Sequence, residues 1–326
     1  MMTFSRLLCV IDPTREEQPA LRRARWFAKH TGAAIDLQVC YYDEYLSGQR
    51  FFDSDALSKA RAKTLDKQQK KLDALAKPLR DEGLSVSTSV TWDHPLDEGI
   101  VRQSQALRAD IVLKDIHYHS PVSRALFTHT DWALIRNCPV PLWLVSPHDI
   151  VDPSNTVVAI DPFNMHDKLA ALDKQLLDVG QLIATQTNGT LHAFHCFDPR
   201  GVTAAATINT YTSMPVAMPD LERELLEHHE IRFFEITDHH GIPKDHAHMA
   251  VGAVPDELAT LATNLNAGLV VMGAISRNTM ERLFIGATAE QTLGRLPCDL
   301  LVIKPDSIAK AVESMIADTV LPGEER

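Results

Sequence analysis

No stretch of this chain approaches the roughly 20 consecutive apolar residues of a membrane-spanning helix, so membrane insertion is not expected. A CxxC pair is also missing. The five cysteines (Cys9, Cys40, Cys138, Cys196 and Cys298) are odd in number, and most sit in apolar runs such as LLCVI and CDLLVI. They read as small buried hydrophobes in a reducing compartment, not as a disulfide framework. Basic charge is short as well: 32 Lys and Arg against 43 Asp and Glu leave a net charge of -11. A nucleic-acid or anionic-membrane partner would want a basic surface, so neither is expected. The opening MMTFSRLLCVIDPT reaches Asp12 and Pro13 too soon for a signal peptide, which makes a cytoplasmic protein the expectation. Reaction motifs are lacking too: there is no GxSxG, no HExxH and no complete Walker A loop. The carboxylate pairs Asp97–Glu98 and Asp256–Glu257 begin helical patterns and suit the helix dipole there. Binding, not efficient catalysis, is the expectation.

What is present is material for real cores. Of 326 residues, 45% are apolar and 23% charged, which suits two domains of about 150 residues each. The chain repeats itself. LLCVIDPT (Leu7–Thr14) returns as VVAIDPFN (Val157–Asn164), and ADIVLKD (Ala109–Asp115) as AGLVVMG (Ala267–Gly273). RALF at Arg124 returns as RLF at Arg282, and CPVPLWLVSP (Cys138–Pro147) as LPCDLLVIKP (Leu296–Pro305). Paired signals in one order are the mark of a tandem duplication. The boundary falls in SPHDIVDPSNT, rich in Pro, Asp and Ser. The expected division is a first domain over 1–150, a second over 151–308 and a tail over 309–326.

Each half alternates short Val/Leu/Ile runs with amphipathic helices. In the first half, strands are expected at Leu7–Asp12, Ala34–Tyr41, Val86–Thr91, Ile111–Leu113 and Leu142–Val145. That pattern predicts a parallel sheet with helices on both faces. Ligands of such sheets bind beyond the carboxyl ends of the strands, where strand order switches. Asp12, Asp161 and Gly273 stand at those positions.

The strand ending in Asp, the turn GAISR after Met272 and the run FIGATAEQTLGRLPCDLLVIKP together resemble the universal stress protein family, in its tandem type. The resemblance covers roughly residues 4–147 and 155–306. It implies an α/β fold of two tandem domains, each a five-stranded parallel sheet with helices on both faces. It also implies domain pairing through the last strand, so an intramolecular pseudo-dimer, with a homodimer as a further option. The implied role is stress tolerance through binding a small-molecule ligand, with ATP or AMP the first candidate. ATP-binding members carry a Gly, a second Gly three residues on, and nine residues later a Gly followed by Ser or Thr. On that pattern Gly273 and Gly286 fit, Ser276 and Ala287 depart, and Thr288 follows with a hydroxyl. Asp161 takes the acidic position after the first strand of its half. Arg277 lies on the same turn and is placed to meet an anion. Glycines let backbone N–H groups approach phosphate oxygens, and a helix N-terminus adds partial positive charge. The first half has lost the pattern, because Asp115 stands where Gly273 stands.

Two other functions remain open at this stage. One is a slow ATPase using Asp161 and a divalent metal. The other is a carrier or sensor of an apolar ligand or of zinc. Eight of the 15 histidines lie between His192 and His248. DHAHMAV reads as the start of a strand, so His246 and His248 would share a face and are the candidate metal ligands, with His192 and His195 on a neighbouring strand. His228–Glu230 reads as a surface helix. The segment Phe197–Glu222, poor in charge and rich in Thr, Ala, Met and Pro, is expected to be a long loop beside the second site, and Tyr41–Asp55 its counterpart beside the first.

Overall fold

The computed structural model describes residues 4–47, 55–116, 128–147, 155–163, 167–200, 218–274, 292 and 294–305. The chain divides into two compact units, Met1–Pro147 and His148–Pro305. Ser276, Arg277, Gly286, Ala287 and Thr288 lie outside the described residues, as does most of the segment expected to form the second loop.

Unit 1 has strands β1 (Arg6–Val10), β2 (Ala34–Tyr41), β3 (Val86–Trp92), β4 (Ile111–Asp115) and β5 (Leu142–Val145). Their order is β3-β2-β1-β4-β5, and neighbouring strands pair in parallel. Between them run α1 (Pro19–Thr31), α2 (Asp55–Asp81), α3 (Leu96–Leu107) and α4 (His129–Asn137). The path steps from β1 outward to β3 and then crosses back to β4. Right-handed crossovers therefore put α1 and α2 on one face and α3 and α4 on the other. Strands covered on both faces must be apolar throughout, and Leu7, Leu8, Ile111, Val112, Leu142 and Trp143 are all at most 1% exposed. Phe27 of α1 meets Trp143 of β5 edge-on, with ring centroids 5.3 Å apart, and so seals that helix to the sheet.

Unit 2 repeats the plan. Its strands are β6 (Asn155–Ala159), β7 (Thr190–Phe197), β8 (Ala247–Val251), β9 (Leu269–Gly273) and β10 (Asp299–Ile303). Their order is β8-β7-β6-β9-β10, again parallel. The described helices are α5 (Asp167–Gln186), α6 (Met218–His239) and α7 (Val254–Asn264). Gly180 lets α5 lie against the sheet, since a Cβ there would collide with Val158 of β6 and would also reach Leu191 of β7. All five cysteines are buried, and burial pushes the Cys40 and Cys196 thiols up to about 11.

Three local expectations change. The strand over Leu7–Asp12 ends at Val10, which leaves Asp12 beyond the sheet. His246 does not enter β8: it closes a 3-10 turn, Lys244–His246, capped by Pro243, and the strand begins at Ala247. Proline fixes its own φ and favours a turn start over early strand pairing. The loop after β7 is shorter than expected, because Met218–Glu222 already belongs to α6.

Candidate functional site

In both units the strand order reverses between the first strand and its fourth-strand neighbour: β1 beside β4, and β6 beside β9. The carboxyl ends of these strands frame the candidate sites.

In unit 2, Ala159 of β6 lies opposite Met272 of β9 in parallel register. Gly273 and Asp161 therefore emerge on adjacent strands at the same edge. Asp161 is exposed, and its Oδ1 accepts from the Phe163 N–H at 3.3 Å, a turn closed by the Asp side chain. The Asp161 N–H donates to Asp173 Oδ1 of α5 at 3.1 Å. Asp173 is only 6% exposed, and its burial pushes that carboxyl up to about 6 against the help of this hydrogen bond. Gly273 has no positive φ, and its requirement is spatial: a Cβ would stand 2.7 Å from Leu172 Cδ2 of α5. Packing against α5 alone would demand a glycine here.

Beside Asp161 stands a group of rings that the residue pattern did not reveal. His195 Nδ1 faces the Ile160 carbonyl at 3.1 Å, so that nitrogen carries the proton. His195 Nε2 must then accept, and His229 Nδ1 of α6 donates to it at 2.7 Å. The His229 ring stacks on Phe163 at a 4.0 Å centroid distance and leans on Phe197 at 4.9 Å. Phe163 itself is 39% exposed. His228–Glu230 was expected on a surface helix. His228 and Glu230 are indeed exposed, but His229 is turned inward, because one position of α6 must face β7. Burial is the main cause that holds His195 and His229 below the ordinary imidazole value.

The candidate metal ligands lie on the other face of β7. Alternation along the strand sends His192 opposite to His195. His192 Nδ1 meets His248 Nε2 at 3.0 Å, and the His246 ring lies 4.7 Å from the His192 ring. Burial, reinforced by His246 and His248, pushes His192 down to about 4. His192 and His248 are held below the ordinary imidazole value, chiefly by burial, and are hydrogen-bonded to each other. Among the described residues, no three His, Cys, Asp or Glu side chains are arranged to hold a metal ion.

Unit 1 presents a different edge. Asp12 Oδ1 accepts from the Thr14 N–H at 2.8 Å and from its hydroxyl at 2.6 Å, while the Asp12 N–H donates to Gln18 Oε1 at 3.2 Å. At the start of α4 the Thr128 side chain accepts from the Asp131 N–H at 3.2 Å, and Asp131 Oδ2 accepts from the Thr128 N–H at 2.7 Å. This capping box satisfies helix-end donors from within. Asp131 is fully buried and its Oδ1 also holds Lys114 Nζ at 2.6 Å. A protein carboxylate thus occupies this helix N-terminus. Asp115, which replaces Gly273, is 2% exposed. It lines a cavity of about 190 Å³ with Asp12, Lys114, Leu96 and Ile100. Of the Tyr41–Asp55 segment, residues 48–54 lie outside the described residues, and its described part does not line this cavity.

The model of the universal stress protein family matches residues 3–146 and again 155–304. The chain belongs to the universal stress protein family. Two copies of its domain account for the duplication, for the repeated strand order and for Asp12 and Asp161 at equivalent strand ends. A curated relative, universal stress protein E of Escherichia coli strain K12, is 29% identical over 315 residues, which cover 96% of this chain and 98% of the relative. Its homolog in Haemophilus influenzae is 23% identical over 309 residues, covering 93% and 98%. Among solved structures, a functionally unknown protein from Pseudomonas aeruginosa PAO1 superposes with a TM-score of 0.72 at 24% identity, covering 97% of this chain and 98% of that one. A universal stress protein from Archaeoglobus fulgidus gives 0.65 at 17%, covering 92% and 98%. Among the described residues, no helix is long and apolar enough to cross a membrane.

Proposed function

We propose that this protein acts in stress tolerance by binding a small ligand in unit 2, with a nucleotide such as ATP or AMP as that ligand. The observation that carries the reading is the pairing of Asp161 with Gly273 at the ends of adjacent strands flanking the switch point of β6 and β9. A carboxylate there suits ribose hydroxyls, and a bare strand end suits the approach of phosphate oxygens to backbone N–H groups. The part-exposed Phe163, stacked on His229, offers a base a flat apolar face. Gly286, Thr288, Ser276 and Arg277 would complete the phosphate side in this reading, and Ala287 marks where a family hydroxyl is missing. Unit 1 is the poorer candidate, because Asp115 stands where Gly273 stands and the Thr128–Asp131 capping box already satisfies the start of α4.

The test is to purify the protein, denature it and identify the released small molecules by mass spectrometry. ATP or AMP at about one equivalent per chain supports the reading. An empty extract, together with no calorimetric binding of added ATP, removes it.

A further inference from the structure

One backbone carbonyl of unit 2 fixes where two of its imidazoles carry their protons. The Ile160 carbonyl can only accept, so His195 Nδ1, 3.1 Å away, holds a proton. The neutral ring then has a bare Nε2, and His229 Nδ1 must donate to it across 2.7 Å. The two rings are within 9° of parallel with centroids 5.0 Å apart, which suits an edge-to-edge N–H···N bond. His229 Nε2 is in turn left without a proton and presents a lone pair. It points away from His195, because the two nitrogens lie on different edges of the ring. Among the described residues no hydrogen bond reaches this nitrogen, and it is not one of the buried atoms that lack a partner. His229 itself is half-buried. An open acceptor thus stands beside Phe163, whose ring lies 4.0 Å from that of His229, and near Asp161, whose charge acts on both imidazoles. Burial, and next His195, hold His229 below the ordinary imidazole value, which favours the ring with a single proton.

We propose that His229 determines the specificity of this site, selecting a base with an exocyclic amino group, adenine, over a base with a carbonyl in the same place. The proposal rests on the nucleotide reading of unit 2 and names what that site prefers. An amino group donates to a bare Nε2. A carbonyl brings a second lone pair instead and leaves both acceptors unsatisfied. An isolated histidine would move its proton to the other nitrogen and accept either base. His229 is held from doing so, because the move would set two bare nitrogens, His195 Nε2 and His229 Nδ1, against each other at 2.7 Å. His195 cannot give way either, since its own proton is committed to the Ile160 carbonyl. His195 is therefore a positioning residue: only 3% exposed, it sets the polarity of the ring that meets the ligand. Phe163 is 39% exposed, so a base set edge to edge with His229 has apolar carbon beside it.

The experiment uses the full chain at about pH 8, above the imidazole range. Long-range nitrogen–proton NMR of the ligand-free protein reads the tautomers, and a proton on Nδ1 with none on Nε2 is expected for both His195 and His229. Calorimetry then compares ATP with inosine triphosphate, which carries a carbonyl in place of the amino group. ATP should bind tighter by about tenfold or more, because the wrong base leaves polar atoms unpaired. The amide of His229→Gln can turn to present either its oxygen or its nitrogen. That variant should keep its ATP affinity within about threefold and lower the preference to about threefold or less. His195→Phe, where folded, should lower the preference in the same way, because the His229 proton is then free to move. A packing role alone for either histidine would change both affinities together and leave their ratio as it was. A proton on His229 Nε2, equal affinities in the wild type, or a full preference in His229→Gln overturns the proposal. So does a full preference in folded His195→Phe. ATP bound without preference defeats this assignment and leaves the nucleotide reading standing, whereas no binding of ATP defeats both.

Discussion

Asp115 and Gly273 occupy the same place in two copies of one domain, and they set opposite chemistry. At Gly273 a methyl group would meet Leu172 of α5. Gly273→Ala should therefore destabilise unit 2 by about 1–3 kcal/mol in urea unfolding, before any ligand is considered. At Asp115 the cost is electrostatic. Its folded value, about 7, lies above the ordinary carboxylate value. A raised acid contributes stability below the unfolded value and loses it as pH rises through the folded one. Stability should thus fall between about pH 4 and pH 7, and Asp115→Asn should gain on the wild type at pH 8.5 by up to about 4 kcal/mol, from the size of the shift. Equal urea midpoints at pH 8.5 would contradict this. Lys114→Met would leave the fully buried Asp131 charge without its cation, with an expected cost of about 3–5 kcal/mol. The presence of Asp115 is plain in the sequence. Its burial and its unpartnered oxygen are not, because both depend on how α1 and α3 close over the strand ends.

The elements themselves were largely readable. A strand covered on both faces must be apolar along its length, so LLCV, IVL and LWLV in one half and TVVA, LVVM and DLLVI in the other stand out at sight. Terminal residues were less clear, as at Asp12 and His246. There the outcome depends on turn chemistry and on where the neighbouring strand stops offering hydrogen bonds. The histidines show a second limit. Four of them pair across elements, His192 with His248 and His195 with His229. Strand alternation places the two pairs on opposite faces of β7, and only β7–β8 register and the seat of α6 decide who meets whom. In each pair the accepting ring must be neutral. His192, His195, His229 and His248 all lie below the ordinary imidazole value, His192 at about 4. A base lowered in the folded state contributes stability above its unfolded value and loses it as pH falls through the folded one. Unit 2 should lose on the order of 2 kcal/mol between pH 6.5 and pH 4.5 from His192 alone. His192→Gln should flatten that part of the urea-midpoint profile, and a profile unchanged by the substitution would contradict the account.

For the chain as a whole, the two copies of the domain share a fold and differ at the edge where the strand order reverses. The domain repeats its strand order and its Asp after the first strand, while the phosphate side diverges. In unit 1 the helix N-terminus is satisfied by Thr128 and Asp131, and Asp12, Asp115 and Lys114 share the cavity lining with apolar side chains. In unit 2 the strand end stays bare, beside Asp161 and the rings of Phe163 and His229. The family was legible from the repeated strands and from Gly273 with its following turn. The divergence of unit 1 was legible only in part, as a missing glycine, because the Thr128–Asp131 cap and its Lys114 partner come together only in three dimensions. The central claim is one nucleotide per chain, held in unit 2. Calorimetric titration of ATP into the full chain, with Asp161→Ala and Asp115→Asn variants alongside, tests it most directly. One site per chain is predicted, weakened by about tenfold or more in Asp161→Ala, the loss of a hydrogen bond to a charged group, and unchanged in Asp115→Asn. No ATP binding by the wild type, or binding that survives Asp161→Ala and disappears in Asp115→Asn, would contradict it.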